Sequence, residues 1–275
     1  VLANASDLAA VGAHPPALLI NETLPPDSDE TFLTRLQEGI AAASRACRLP
    51  VLGGDTNIAG HTELSACAVG VLEDNLFLKR SGYRPEDLLY ASGPLGLGNA
   101  FAFGQLQRRA FDVDYRPQPR FAQSGVIRRF ATCCMDSSDG LISTLDQLMR
   151  LNGLGFDLYR GINTYLHRDA RRLCRGAGLP QTAMLAGTHG EFELIFTIPP
   201  QQNRRFLNEA KTIAWQPLLL GKATKTRLVR LNTETGMITP NTVKIRNMFD
   251  EQRGHISGYV HHLLAYCEQV EKEHE

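Results

Sequence analysis

Three short segments place a carboxylate beside Gly, Ser or Thr at the end of an apolar run. They are Asn4-Ala5-Ser6-Asp7, Gly53-Gly54-Asp55-Thr56 and Asp136-Ser137-Ser138-Asp139-Gly140. Hard cations such as Mg2+ take oxygen ligands, keep several waters and bridge one or two carboxylates to substrate phosphates. Glycine beside a carboxylate lets a phosphate approach the backbone, and a helix N-terminus offers N–H donors to an anion. Asp139, with Gly140 opening a helix, has the residue order this geometry needs. Each segment also has a plainer reading: Asp7 as a helix N-cap, Gly53–Thr56 as a hairpin or loop turn, and residues 136–139 as a capping cluster. Two Asp and two Ser within four residues exceed what one cap requires, and the three segments together favour a metal and phosphate site.

The elements that must carry these side chains follow from periodicity. Ser6–Gly12 reads as a capped helix start and Ala17–Leu24 as a strand. Asp27–Arg48 is a helix with Phe32, Leu33, Leu36, Ile40 and Ala43 at helical spacing. A short strand at Leu49–Leu52, a Gly-Gly-Asp-Thr turn and an alternating strand at Leu64–Leu72 complete the first cycle. Residues 81–87 are polar turn chemistry, and the strand Leu88–Ala91 begins a second cycle, so a domain boundary is expected there. The second cycle reads as a helix from about Gly98 to Arg109, a loop over Asp112–Arg120, a helix ending near Phe130 and a strand entering Asp136. A helix after Gly140 then carries Leu141, Leu145, Leu148 and Leu151 on one face, followed by strands at Glu193–Thr197 and near Leu218–Gly221 with a helix between them. Interleaved strands and helices make the class α/β (α+β), with residues 1–82 and 83–240 as two domains and 241–275 as a helical extension.

Composition bounds the function. The 275 residues carry 29 Lys+Arg against 29 Asp+Glu, a balance that gives no net field toward nucleic acid or an anionic membrane. At 43% apolar residues the chain can bury a sizeable core, and its apolar runs fall far short of the roughly 20 residues that cross a bilayer. The six cysteines show no CxxC pair, Cys47 and Cys67 read as small core residues, and with no targeting signal the expected compartment is the cytoplasm. Cys133-Cys134 belongs to the strand entering Asp136.

In order and wording the motifs resemble thiamine-monophosphate kinase, within the aminoimidazole-ribonucleotide (AIR) synthetase-like superfamily. The resemblance rests on Asn4 through Ala13, Gly53-Gly54-Asp55-Thr56, Ser81-Gly82 through Pro85 and Gly93-Pro94-Leu95-Gly96. It continues through Pro117-Gln118-Pro119-Arg120, Met135 through Leu141 and Gly190 through Thr197. It implies a two-domain AIR synthetase-like fold with an N-terminal dimerising sheet domain and an α/β C-terminal domain. It also implies a Mg2+-dependent transfer of the ATP γ-phosphoryl group to thiamine monophosphate, in line and direct, with a homodimer as the assembly. On that resemblance Asp7, Asp55 and Asp139, with Asp136 as an additional ligand, hold Mg2+, and Ser138 lies beside the transferred group. Gly54, Asp55, Thr56, Arg120 and Ser138 contact the nucleotide, and Glu191 and Phe192 the acceptor. Phosphoryl transfer is mostly positioning and charge neutralisation, so no dedicated nucleophile is needed.

Three departures keep other readings in play. Thr188-His189-Gly190-Glu191-Phe192-Glu193-Leu194 stands where the family reads Gly-Gly-Glu-Asp-Tyr-Glu-Leu; His189 is either a substrate contact or a hydrogen-bonded loop residue. A Gly-Asp-Asp-Ala-type motif that the family carries upstream has no counterpart after Val1, so a truncated sequence is expected. In the tail, Gly258-Tyr259-Val260-His261 is similar to the family's closing Gly-x-x-His within a helix-like run from Tyr259 to Glu275, where adjacent His261 and His262 diverge too far to share an ion. The alternatives are another ATP-dependent AIR synthetase-like enzyme, or a non-catalytic protein that binds a nucleotide or thiamine phosphate.

Overall fold

A computed structural model describes all residues except 73, 75, 107–112, 234–235 and 274–275, and divides the strands between two sheets. The chain begins with α1 (Leu2–Val11), β1 (His14–Leu24), α2 (Glu30–Cys47), β2 (Val51–Ile58) and β3 (Glu63–Val71). β1 is the middle strand, parallel to β2 and antiparallel to β3. A parallel neighbour needs a crossover, which α2 supplies. The Asp29 side chain accepts the Phe32 N–H at the start of α2, and Arg48 closes it in the left-handed conformation. Ala5, Leu18, Ile20, Cys47 and Leu49 are the small core of this layer, while every residue of β2 is exposed.

The second sheet contains β4 (Leu88–Ala91), β5 (Cys133–Asp136), β6 (Gly155–Gly161), β7 (Leu194–Ile198), β8 (Leu218–Thr224), β9 (Val229–Asn232) and β10 (Met237–Ile238). Their order is β10-β9-β6-β8-β4-β7-β5. Its helices are α3 (Leu97–Leu106), α4 (Phe121–Ile127), α5 (Gly140–Asn152), α6 (Arg168–Ala177), α7 (Gln181–Ala186), α8 (Asn203–Thr212), α9 (Thr242–Glu251) and α10 (Ile256–Lys272). Strand side chains alternate between the two faces. Cys133 and Ile195 join the core that α3, α5, α7, α9 and α10 cover, whereas Cys134 and Phe196 join the one beneath α1, α4 and α8. α1 serves both layers: Ala5 packs on the first sheet, and Ala9 and Ala10 on the second.

Several expectations are corrected. Ser6 and Asp7 do not cap a helix, because α1 already starts at Leu2 and ends at Gly12, which lies at φ 81°. Gly53–Thr56 is not a turn: those residues extend β2 along β1, and the ladder overrides their turn propensity. Gly54 is needed there because a Cβ would sit 1.5 Å from the Ile20 carbonyl oxygen. Cys67 is exposed, because it lies on the face of β3 opposite Ala68, the residue that packs on the Ala5 core. Leu141, Leu145 and Leu148 face the core as expected, but Leu151 at the end of α5 is 54% exposed. The expected helix end at 107–109, the loop start at Asp112 and the last two residues lie outside the described residues. No described helix is long and apolar enough to cross a membrane.

Candidate functional site

The end of β5 meets the flank of α1. Ser6 Oγ donates to Asp136 Oδ2 at 2.9 Å, across 130 residues of chain, and Asp136 is 3% exposed. Burial holds the Asp136 carboxyl above its ordinary range, reinforced by the charges of Asp7 and Asp139, while the Ser6 hydrogen bond and Arg80 pull it down. The Asp7 carboxyl is raised by burial and lowered by Arg80. Three carboxylates therefore converge with one guanidinium in range, an excess of negative charge on oxygen donors that suits a hard cation.

Asp139 occupies the N-cap position of α5 without capping it, so its exposed carboxylate stays available. Gly140 follows at φ 80°, and a Cβ there would lie 2.4 Å from the Gly187 carbonyl oxygen, so the turn that presents Asp139 needs glycine. Ser137 is fixed by its N–H and hydroxyl, both donated to the Glu193 carbonyl oxygen. Ser138 is half-buried, and its carbonyl accepts the Gly190 N–H at 3.0 Å.

The expected metal set is not gathered whole. Among the described residues no group of three or more His, Cys, Asp or Glu side chains lies close enough to hold an ion by itself. Asp55, with Gly54 and Thr56, stands on the exposed edge strand β2, opposite Asn21. Its carboxylate accepts the Thr56 N–H and an Asn57 side-chain N–H, and no described contact joins it to Asp7, Asp136 or Asp139. The reason is topological, since Asp55 belongs to the other sheet.

The loop before β7 is held from both sides. Glu191 is 7% exposed and accepts the Leu97 N–H at the start of α3. Burial and neighbouring Glu193 push its carboxyl up to about 8 against the pull of backbone N–H groups at residues 96–98. That placement makes Glu191 a cap for α3 where the sequence suggested an acceptor contact. Arg120, expected on phosphate, instead forks onto Glu193, which also accepts the Ser92 hydroxyl. Phe192 is half-buried at φ 60°, and Tyr115 donates to the Gly190 carbonyl while stacking on Phe101. His189 is hydrogen-bonded in this loop, its Nδ1 pairing with Asn99 Oδ1 at 2.8 Å, and burial lowers its pKa. His261 and His262 are exposed on α10. Sequence reasoning missed Arg80; the available signal was the basic pair Lys79-Arg80 directly before Ser81-Gly82.

Residues 1–72 match the family model for AIR synthase related protein, N-terminal domain. The chain is 33% identical over 219 residues to thiamine-monophosphate kinase of Escherichia coli K12, covering 75% of this chain and 65% of that protein. It is 28% identical over 233 residues to the Nitrosopumilus maritimus enzyme, covering 82% and 73%. It thus spans about two thirds of the length of such relatives, 65% for the first. Among solved structures, AaThiL complexed with AMPPCP and TMP aligns at TM-score 0.70 and 22% identity, covering 82% of this chain and 73% of that one. The Escherichia coli hydrogenase maturation protein HypE aligns at TM-score 0.74 and 17% identity, covering 88% and 77%. At those identities the structural likeness bears on the fold.

Proposed function

We propose, from a chain that has the AIR synthase-like fold and is similar over most of its length to thiamine-monophosphate kinases, that the protein is an ATP-dependent kinase converting thiamine monophosphate to thiamine diphosphate. The observation that carries this reading is the convergence of Asp7, Asp136 and Asp139 beside Arg80, where α1 and the end of β5 meet. The oxygen donors and their uncompensated charge suit Mg2+; since no three described acidic side chains are close enough to hold an ion by themselves, Asp7, Asp136 and Asp139 would hold it together with the nucleotide phosphates. When bound, the ion neutralises phosphate charge. The chain's own part is positioning. Ser6 orients Asp136, Gly140 allows the turn that exposes Asp139, and the Ser138 to Gly190 hydrogen bond ties that turn to the loop before β7.

The exposed apolar residues Leu52, Ile58, Leu64, Val69 and Val71 on β2 and β3 support pairing of this sheet with a second copy. Sedimentation should then give a dimer, and a monomer at micromolar concentration would remove that part of the reading. For the kinase, the purified chain is incubated with Mg2+, ATP and thiamine monophosphate, and thiamine diphosphate is quantified by chromatography. Asp136→Asn or Asp139→Asn should abolish turnover with the fold retained by circular dichroism. No product from the wild-type chain, or full activity in both variants, would sink the assignment; retained ligand binding without turnover would favour a binding protein.

A further inference from the structure

Residues 113–119 have no regular secondary structure, and among the described residues no backbone hydrogen bond ties them to a neighbour. Val113, Tyr115, Pro117 and Pro119 are buried or half-buried, while Asp114, Arg116 and Gln118 between them are exposed, the alternation of an extended chain. The two prolines favour that form, because the residue before each is driven out of the helical region. Side chains therefore hold the segment in place. Val113 enters the core, Arg120 forks onto Glu193, and between them the Tyr115 hydroxyl donates to the Gly190 carbonyl.

Tyr115 is anchored at both ends. Its ring stacks on Phe101 of α3 at 18°, with centroids 5.1 Å apart. Burial and the charge of Glu191 push its phenol up to about 12, so the hydroxyl keeps its proton and acts as a donor. The acceptor belongs to a residue that is tied on its other side as well: the Gly190 N–H donates to the Ser138 carbonyl at 3.0 Å. Gly190 lies at φ 66° with no side chain to fix it, and these two hydrogen bonds set its orientation. The Ser138 carbonyl is part of the peptide that leads into Asp139. Fixing that planar unit fixes the backbone from which the Asp139 carboxylate projects. Tyr115 itself lies outside the stretches that carry the family resemblance.

We propose that Tyr115 is a positioning residue for the transfer step, its hydroxyl holding Gly190 so that the peptide between Ser138 and Asp139 presents the carboxylate in its working orientation. The proposal rests on the kinase reading for what Asp139 does. Tyr115 acts through Gly190 and Ser138, and needs no contact with either substrate.

The test is steady-state kinetics of Tyr115→Phe, which keeps the ring on Phe101 and removes the donor, with thiamine monophosphate and ATP varied separately. The kcat should fall about fivefold to tenfold, the worth of one hydrogen bond, with both KM values within about twofold of wild type. A folded variant with wild-type kcat, or one whose loss lies in either KM, overturns the proposal and leaves the kinase reading intact. Should Tyr115→Phe fail to fold, Phe101→Leu takes its place, because it loosens the support of the ring and leaves the hydroxyl. The same loss confined to kcat is expected there, and wild-type kcat counts against the proposal. Amide exchange at Gly190, followed by NMR, is independent of turnover: the N–H bonded to Ser138 should exchange several-fold faster in Tyr115→Phe. Unchanged exchange overturns the proposal even where kcat falls, since the effect then does not run through Gly190. Absence of wild-type turnover would instead remove the kinase reading. The exchange measurement then judges the hold on the Ser138 turn alone, faster exchange upholding it and unchanged exchange overturning it.

Discussion

Removing the Arg120 side chain should expose how the loop before β7 is held. The Glu193 side chain is 8% exposed and that of Arg120 26%. Glu193 accepts Arg120 Nε at 2.9 Å together with a second guanidinium contact, and Ser92 supplies its other hydrogen bond. Breaking a buried ion pair from one side costs about 3–5 kcal/mol, because the surviving charge is stranded. Water reaches Arg120, so the expected loss in Arg120→Met is smaller, about 2–3 kcal/mol. Urea unfolding of wild type, Arg120→Met, Glu193→Gln and the double variant forms a thermodynamic cycle. The double variant should recover at least half of the loss, since an amide at 193 needs no cation, and it should also recover turnover if Arg120 is a strut. An Arg120→Met variant within about 0.5 kcal/mol of wild type, or strictly additive losses, would refute the buried-pair argument. A stable double variant with a strongly raised KM for ATP would return Arg120 to the phosphate.

Other perturbations have defined outcomes. Gly140→Ala forces a Cβ into the Gly187 carbonyl at φ 80°, and should cost about 1–3 kcal/mol or more, read as a Tm drop of about 5 °C or more together with loss of turnover. A silent Gly140→Ala would mean that the turn is not what presents Asp139. Glu191 has a carboxyl raised to about 8 in the fold against 4.5 unfolded, so the folded state holds the extra proton between those values. Its ionisation therefore weakens stability as pH rises through that window and has no effect below it. Glu191→Gln keeps an acceptor for Leu97, so it should be more stable than wild type at pH 8 and equal near pH 4.5; parallel pH profiles would refute this. Gly54→Ala must push β2 away from Ile20, and amide exchange in both strands should accelerate, with unchanged protection counting against the close approach.

Much of the α/β layout was legible because long periodic segments declare themselves. The Phe32, Leu33, Leu36 and Ile40 stripe led to α2, and the apolar runs led to β1, β3, β4, β5 and β7. What failed was local chemistry with two uses. Ser6 and Asp7 have cap residue types, but helix starts depend on where backbone hydrogen bonding begins, and that is Leu2. Gly-Gly-Asp-Thr has turn composition, yet pairing with β1 draws it straight. β6 escaped because Gly155, Asp157, Arg160 and Gly161 mask its alternation, in which Phe156 and Leu158 point inward. At the site, Asp7, Asp136 and Asp139 come together through a contact between residues 6 and 136 that no spacing announces. The partners of Arg120 and Glu191 were illegible for the same reason, being set by sheet order and not by neighbours in sequence.

α1 has a consequence for how the protein comes to life. It lies against the first sheet through Ala5 and the second through Ala9 and Ala10, with Ser124 donating to its Ala9 carbonyl and Ser6 reaching Asp136. A contact that closes so long a stretch of chain forms late, after the loop-closure entropy has been overcome by other packing. During refolding, helical ellipticity and burial of Trp215 should thus precede recovery of activity. The carboxylate site would be the last part to assemble, which keeps a partly folded chain from holding a cluster of negative charge before the structure that supports it exists.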